Sequence, residues 1–321
     1  MKKILAIVCA VLMLVSMTAC GTAEKKNDGK YTIGICQLIK HDALDAATEG
    51  FKQAVIDGLG KENVEFKEQN ASGDSNTCST IVNTFVSDEV DLIMANATPA
   101  LQAAATATAD IPILGTSVTE YGVALGLDNF SGTVGGNVSG TSDLAPLDQQ
   151  AQMVIDWVPD AKNVGLLFCS AEANSKYQVE VVEKYLTGKG LTCKRYSFTD
   201  SNDMAAVVED AAANSDVIYV PTDNTCANGA DIIDGICRGK VPVIAGEAGI
   251  AKACGVATLS IDYYDLGYAT GEMAVKILKG EADISKMAVE YTPADKITPM
   301  YNKDVCEALG IAPLEGYKPL S

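Results

Sequence analysis

The chain has 321 residues, of which 48% are apolar and 21% charged, a composition typical of a globular protein with room for two domains. Its net charge of −18 argues against nucleic acid as a partner, because phosphate binding requires a positive surface. The same charge disfavours direct adsorption to anionic lipid. A single histidine excludes a multi-histidine metal site.

The N-terminal leader has the pattern of a secretory signal. Two lysines precede an apolar run over residues 4–15, which is too short for a membrane span. Small residues follow it and end at Cys20, a junction that resembles the lipobox of bacterial lipoproteins, in which the cysteine is acylated. We expect a lipoprotein signal peptide over residues 1–19, lipidation at Cys20 and a flexible tether over residues 20–30. The alternative is an ordinary secretory signal with an incidental cysteine.

Strands and helices alternate regularly after the tether. The strands are apolar throughout, which is typical of parallel strands covered on both faces. The first run has predicted strands over residues 31–38, 64–69, 91–95 and 111–116, and predicted helices over residues 43–59, 77–87 and 99–108.

A glycine-rich stretch over residues 132–140 then predicts a crossover between two lobes, after which the alternation begins again. The second run has predicted helices over residues 146–158, 175–188, 203–213 and 230–238, and predicted strands over residues 164–168, 192–198, 217–220 and 241–245. A remaining strand and helix over residues 256–261 and 266–279 are expected to return to the first lobe. The final strand and a helix over residues 303–309 are expected to close the second.

This pattern predicts an α/β fold of two doubly wound, Rossmann-like lobes joined by a hinge. Ligands of open α/β sheets bind outside the carboxyl ends of the strands, so facing sheets create an inter-lobe cleft. The expected bounds are residues 31–144 and 248–288 for the first lobe and residues 145–247 and 289–321 for the second, with hinge crossings near Asp143, Gly246 and Thr292.

The cysteines do not predict a disulfide framework. Eight of the ten follow Cys20, and no CxxC pair occurs, which argues against a zinc or redox motif. Most are expected to be small buried thiols. A disulfide between Cys169 and Cys193, in successive predicted strands, stays open.

The motif inventory favours a binding protein over an enzyme. No G-x-S-x-G elbow and no phosphate-binding loop occurs in the sequence. The loops after the strands are instead rich in Ser, Thr, Asn and Asp, which either cap the next helix or bind a ligand. A surface enzyme that uses His41 is the remaining catalytic alternative.

Five ordered blocks of sequence carry a specific resemblance. They cover residues 37–45, 97–102, 136–143, 221–225 and 262–267. They resemble the extracytoplasmic substrate-binding lipoproteins of ABC importers, in the branch whose best-known members bind tryptophan or phenylalanine. The resemblance implies the type I periplasmic-binding-protein fold, a monomer on the outer face of the membrane, and a permease with a cytoplasmic ATPase as partner. It implies no catalytic residue, metal or cofactor.

The resemblance also implies the ligand site. A free amino acid would place its carboxylate at helix starts near Ala97, Thr98 and Thr119. Its ammonium would contact Asp223, for which an N-cap role is the alternative. The expected ligand-binding residues are His41, Ala97, Thr98, Thr119, Asn174, Ser175, Asp223, Asn224, Glu247 and Asp262.

Two departures from the family pattern bear on the ligand. Thr119-Glu120-Tyr121 stands where relatives have Thr-Asp-Pro, and Glu247 stands where they carry small neutral residues. A cleft-facing Glu247 favours tyrosine or a polar amino acid over phenylalanine, whereas a solvent-facing one does not. The other functions left open are a ligand-sensing ectodomain or co-receptor of a signalling system, and a binder of a different polar metabolite.

Overall fold

Two β-sheets dominate the computed structural model, which describes residues 29–320. The expected signal peptide, Cys20 and the tether up to Asp28 lie outside the described residues. Within the described part, none of the helices combines the length and the apolar character needed to cross a membrane.

The strands and helices alternate as the sequence predicts. The strands are β1 (Tyr31–Gln37), β2 (Val64–Asn70), β3 (Leu92–Asn96), β4 (Ile113–Val118), β5 (Val138–Ser142), β6 (Asn163–Cys169), β7 (Thr192–Phe198), β8 (Val217–Val220), β9 (Val243–Ala245), β10 (Ala257–Ser260), β11 (Glu290–Tyr291), β12 (Thr298–Tyr301) and β13 (Lys318–Pro319). The helices are α1 (Asp42–Leu59), α2 (Ser75–Ser87), α3 (Thr98–Ala107), α4 (Tyr121–Leu125), α5 (Leu147–Trp157), α6 (Ala173–Gly188), α7 (Met204–Asn214), α8 (Asn224–Asn228), α9 (Ala230–Cys237), α10 (Ala248–Ala253), α11 (Tyr263–Leu278) and α12 (Lys303–Leu309).

The two sheets share a doubly wound core of five parallel strands, which confirms the predicted fold class, and β12 runs antiparallel to β10 in the second sheet. The first has the order β11-β5-β4-β3-β1-β2, and the second β13-β12-β10-β9-β8-β6-β7. Each contains five parallel strands in a doubly wound order, so that the crossover helices cover both faces. We call the first sheet with α1–α4 and α11 the first lobe. The second sheet with α5–α10 and α12 is the second lobe.

Each lobe has an apolar core on both faces of its sheet. In the first lobe, Phe85 and Leu101 lie on one face, and Phe51 and Met94 contribute to the other. The second lobe is built in the same way, with Val179 on one face and Val208 on the other. Strands covered on both faces need apolar residues at every position, which is why their sequences do not alternate.

Helix α11 returns to the first lobe and packs closely on α1. A side chain at Gly267 would overlap the carbonyl oxygen of Ala47, so this close crossing depends on glycine. Of the strand and helix expected to return to the first lobe, only the helix packs there.

Two of the expected crossover positions, residues 132–140 and Gly246, are not crossovers. The stretch 132–140 is not a crossover: its last residues begin β5, a full member of the first sheet. Strand β10 pairs with β9 and β12 in the second sheet, so the chain leaves the second lobe only at residues 261–262, and Gly246 is no crossing point. Strand β11 pairs with β5 and extends the first lobe beyond residue 288. The lobes are thus linked at residues 143–146, 261–262 and 292–297.

All eight cysteines of the described chain are free thiols, and seven of them are buried. Cys193 lies opposite Val164 and Cys169 lies opposite Phe198 in the β6–β7 register. Five residues along a strand separate the two thiols by roughly 17 Å, which is too far for a disulfide, so Cys169 and Cys193 are not bonded to each other.

Candidate functional site

The carboxyl ends of both sheets enclose a small cavity between the lobes, with a volume of about 10 Å³. This inter-lobe cavity is lined by His41, Leu44, Ser117, Asp143, Asn174, Thr222, Asp223, Asn224, Ala227, Glu247 and Tyr263. A volume of this size is comparable to the space that a single water molecule needs. The two lobes are therefore closed on each other.

The first-lobe side of the site contains two residues with strained backbone. Ser117, at the end of β4, has φ of 54°, and Ala97, before α3, has φ of 93°. Such conformations cost non-glycine residues about 1–3 kcal/mol and cluster at functional sites. Ala97, Thr98 and Thr119 are all buried at these strand ends, although they do not line the cavity themselves.

Asp223 is fully buried at the end of β8 and both lines the cavity and caps α8. Its carboxylate accepts hydrogen bonds from the backbone N–H groups of Cys169 (2.7 Å) and Cys226 (2.8 Å), and the Ser175 hydroxyl donates to it as well. Burial, together with the negative charge of Glu172, raises the pKa of Asp223 to about 7. Asp223 therefore caps α8 and lines the cavity at the same time.

Glu172 holds several polar side chains of the second-lobe wall of the cavity in place. The sequence analysis did not predict it as a site residue. It is 4% exposed. Its carboxylate accepts from the backbone N–H and the side chain of both Asn224 and Thr225, and from the Nδ2 of Asn174, at 2.6–3.3 Å. A carboxylate is an acceptor-only group, so it fixes the orientation of both asparagine amides.

One side-chain contact joins the lobes directly across the cavity. The Nε2 of His41, before α1, lies 3.2 Å from the Oδ1 of Asn224. Because the Nδ2 of Asn224 donates to Glu172, its Oδ1 is the acceptor, and the histidine N–H donates. Glu172, Asn224 and His41 therefore form a continuous hydrogen-bonded chain from the second lobe to the first.

The wall nearest the lobe crossovers carries a second group of acids. The Tyr263 hydroxyl donates to the Oδ2 of Asp143 at 3.0 Å, and both residues are buried. Burial raises the pKa of Asp143 to about 6, and the charge of Glu247 acts in the same direction. Glu247 itself is 3% exposed and accepts from the backbone N–H groups of Gly249 and Ile250, which caps α10. Glu247 therefore faces the cavity rather than solvent.

Three buried polar atoms of the cavity wall lack a hydrogen-bond partner among residues 29–320: Ser117 Oγ, Asp143 Oδ1 and Asn174 Oδ1. Buried polar groups are nearly always paired, and each unpaired one costs about 1–3 kcal/mol. They come from different strand ends of the two lobes, yet they line the same cavity. A polar ligand is the kind of partner that would satisfy all three.

Two residues named in the sequence analysis lie elsewhere. Asp262 is exposed, caps α11 and lines a separate groove of about 270 Å³ beside the crossovers, while its neighbour Tyr263 reaches the cavity. Tyr121 is fully buried in the first-lobe core, where it stacks on Phe130 and donates to the carbonyl of Thr141. Tyr121 therefore cannot contribute to ligand specificity directly.

The site residues that the sequence analysis did not predict all lie where a strand ends, which is the position it used to predict the others. Ser117, Asp143, Glu172 and Tyr263 all lie at or within three residues of the carboxyl end of a strand.

A larger groove of about 470 Å³ continues between the lobes past Glu172 and Pro99. Within the described residues, no group of three or more His, Cys, Asp or Glu side chains could hold a metal ion.

Comparisons with known proteins agree with this architecture. The family model "ABC transporter substrate binding protein" matches residues 32–316. A tyrosine-binding protein of Clostridioides difficile is 36% identical, over 98% of this chain and 94% of its own length.

Solved structures match as well. A domain from Streptococcus pneumoniae in complex with L-Trp is 32% identical with a TM-score of 0.84, covering 89% of this chain and 96% of its own. A ligand-free, open substrate-binding protein with adhesive properties from Clostridium difficile is 39% identical, yet its TM-score is 0.68, over 90% of this chain and 99% of its own. The more similar sequence has the less similar shape, as expected when an open structure is compared with the closed lobes of this chain.

The family match covers nearly the whole described chain, and its members bind substrates outside the cytoplasm for a membrane permease rather than catalyse a reaction. The two closed lobes and the cavity between them have the architecture that this role requires. The chain belongs to the family of ABC transporter substrate-binding proteins.

Proposed function

We propose that this substrate-binding protein captures a free aromatic amino acid, with tyrosine as the foremost ligand, and delivers it to its ABC permease. Support comes from the tyrosine-binding relative at 36% identity and from the neighbour in complex with L-Trp. The observation that carries the proposal is the set of three unpaired polar atoms on one closed cavity, Ser117 Oγ, Asp143 Oδ1 and Asn174 Oδ1. An amino acid offers both donors and acceptors to such a wall.

The zwitterion sets the proposed roles of the residues. The ligand carboxylate lies at the start of α3, near Ala97 and Thr98, where backbone amides and the helix dipole favour an anion. Thr119 supplies a hydroxyl from the neighbouring strand end. The ammonium lies towards Asp223, whose carboxylate is the buried anion of the second-lobe wall.

The remaining cavity residues position the ligand and its side chain. Asn174, Ser175 and Asn224 surround Asp223, and His41 flanks the ligand from the first lobe. Glu247 lies at the cavity wall, which favours a ligand with a hydroxyl group over phenylalanine. Asp262 has no part in this proposal, because it is exposed outside the cavity.

Binding requires the lobes to move. A cavity of about 10 Å³ cannot admit an amino acid while the lobes are closed as they are here. We propose that the segments 143–146, 261–262 and 292–297 act as the hinge, because they alone link the lobes within the described chain. Entry then occurs in an open form, and the lobes close around the ligand with a cavity wider than the one described here, because a volume of about 10 Å³ cannot hold an amino acid.

The cellular arrangement follows from the leader. We propose that Cys20 is lipidated after removal of residues 1–19, and that a monomer is tethered to the outer face of the membrane. Growth in labelled palmitate would incorporate label into the natural chain but not into a Cys20→Ser variant. Equal labelling of both would contradict the anchor.

A thermal-shift panel of the proteinogenic amino acids tests the ligand. The domain beginning after Cys20 should be stabilised by tyrosine, with about 2.7 kcal/mol added at a hundred times the dissociation constant. Tryptophan and phenylalanine should give smaller shifts, and leucine and glutamate none. Silence from all three aromatic amino acids would refute the proposed ligand class.

A further inference from the structure

We infer that the Oδ1 of Asp143 accepts a hydrogen bond from an N–H group of the bound ligand, which makes Asp143 a specificity-determining contact. The inference rests on the proposed function, because it names the kind of ligand group that one end of the inter-lobe cavity recognises. The group is the α-ammonium, whose three N–H donors can contact Asp143 as well as Asp223.

The geometry around Asp143 leaves one oxygen for the ligand. Asp143 directly follows β5, and its backbone N–H donates to the carbonyl of Val118 at 3.2 Å. Its Oδ2 accepts from the Tyr263 hydroxyl at 3.0 Å. Its Oδ1 is buried, belongs to a residue that is 4% exposed, and makes no hydrogen bond of good geometry with the described residues, although the Thr119 hydroxyl lies near this carboxylate. The residue lines the cavity, so a ligand group can reach this oxygen.

The neighbouring acid cannot take the same role as easily. Each carboxylate oxygen of Glu247 already accepts a backbone N–H of α10, at 2.6 and 2.7 Å. Asp223 likewise accepts two backbone N–H groups. Asp143 is therefore the acid of this cavity wall that keeps an uncommitted oxygen.

The charges facing Asp143 require a donor rather than an acceptor from the ligand. Glu247 comes from the second lobe and Asp143 from the end of the first, so closure brings two acidic side chains to one cavity wall. Burial and the charge of Glu247 raise the pKa of Asp143 to about 6, so the carboxylate is still mostly ionised at neutral pH. A ligand carboxylate would be repelled here, whereas an ammonium or hydroxyl would be stabilised.

The variant Asp143→Asn tests the contact sharply. The Tyr263 hydroxyl needs an acceptor, so it holds the amide oxygen in the place of Oδ2 and turns the NH₂ towards the ligand. A donor then meets a donor, and the affinity for tyrosine should fall about 10- to 100-fold in calorimetric titration. In the double variant Asp143→Asn/Tyr263→Phe the amide is free to flip, and part of the affinity should return. Asp148→Asn, an exposed site five residues away, is the matched control.

Two ligands distinguish the sources of the donor. Equal losses for tyrosine and phenylalanine in Asp143→Asn are expected, because both ligands carry the same ammonium. A loss confined to tyrosine, or unchanged affinity for both ligands, overturns the inference.

The inference can fail separately from the proposed function. Failure of the natural protein to bind any aromatic amino acid refutes the ligand class, and the titrations then use whichever panel amino acid does bind. The urea midpoint of the ligand-free domain provides a further readout: Asp143→Asn should match Asp148→Asn. A clearly lower midpoint would assign Asp143 to the fold and overturn the inference.

Discussion

Replacing Glu172 by glutamine should loosen the second-lobe wall of the site without changing the shape of the side chain. The carboxylate accepts five hydrogen bonds, two on Oε1 from Thr225 and three on Oε2 from Asn224 and Asn174. A glutamine retains one acceptor oxygen, and the better orientation keeps it on the side with three donors. Its NH₂ then faces the backbone N–H and the hydroxyl of Thr225.

The size of the stability loss follows from the amide NH₂, which cannot accept a hydrogen bond. The Thr225 hydroxyl can rotate and accept, but the backbone N–H of Thr225 cannot, so one buried donor loses its partner. An unpaired buried donor costs about 1–3 kcal/mol, and we expect the free energy of unfolding to fall by this amount. The loss of the negative charge beside Asp223 should also lower the pKa of that carboxyl from about 7 towards its ordinary value.

Urea unfolding of the ligand-free domain, followed by circular dichroism, measures the first effect. Glu180→Gln on α6 is the matched control, since Glu180 is exposed and its change should stay within about 0.5 kcal/mol. A Glu172→Gln variant as stable as the control would refute the hydrogen-bond accounting. Titration of Asp223 by carbon-detected NMR in both proteins measures the second effect.

Three further predictions concern the backbone, the lobe contact and pH. Gly140→Ala should lower the free energy of unfolding by at least about 3 kcal/mol, because the new Cβ would overlap the carbonyl oxygen of Gly115. Gly132→Ala is the control, since Gly132 also has positive φ but lies in open space, and its loss should be much smaller. Equal losses in the two variants would contradict the overlap. His41→Ala should weaken ligand binding about 3- to 10-fold while leaving the unfolding midpoint unchanged, because its one described side-chain contact crosses between the lobes; a lowered midpoint would show a structural role instead. The pKa of Asp143 is raised to about 6 by burial and by the charge of Glu247 from the other lobe, so the closed form binds a proton that an open form with an ordinary carboxyl releases. Ligand-free closure should therefore become more favourable as pH falls from about 7 to 5, visible as a smaller radius of gyration in solution scattering, and the opposite trend would contradict the burial of Asp143 on closure.

The strand and helix pattern could be predicted because buried parallel strands leave continuous apolar runs. Strand β5 could not be predicted in this way, because it has no continuous apolar run: its sequence is Val138-Ser139-Gly140-Thr141-Ser142. Its glycine is needed because β4 approaches too closely for a side chain. Sequence reasoning thus took a sheet strand for a linker.

The lobe membership of β10 could not be predicted from its own sequence. It is an apolar strand like the others, and only its pairing with β9 and β12 assigns it to the second sheet. Pairing of this kind depends on contacts between distant parts of the chain, which local patterns do not specify.

The site divides in a similar way. Asp223 and Glu247 were predicted as either helix caps or cavity residues, and each is both. Residue type at a strand end cannot separate two roles that one carboxylate fills together. Asp143 was expected only as a hinge residue, because the strand before it had not been recognised. Asp262 was expected in the site, but it caps α11 on the surface, and its neighbour Tyr263 lines the cavity instead.

The central claim is that two lobes close on an aromatic amino acid, and solution scattering with and without tyrosine tests it most directly. The domain beginning after Cys20 should have a larger radius of gyration alone, and saturating tyrosine should reduce it towards the value calculated for the closed lobes described here, whose cavity of about 10 Å³ is narrower than a bound amino acid requires. Leucine at the same concentration is the control and should leave the radius unchanged. A radius that tyrosine does not alter, although calorimetry detects binding, would place the ligand outside the inter-lobe cavity and contradict the account.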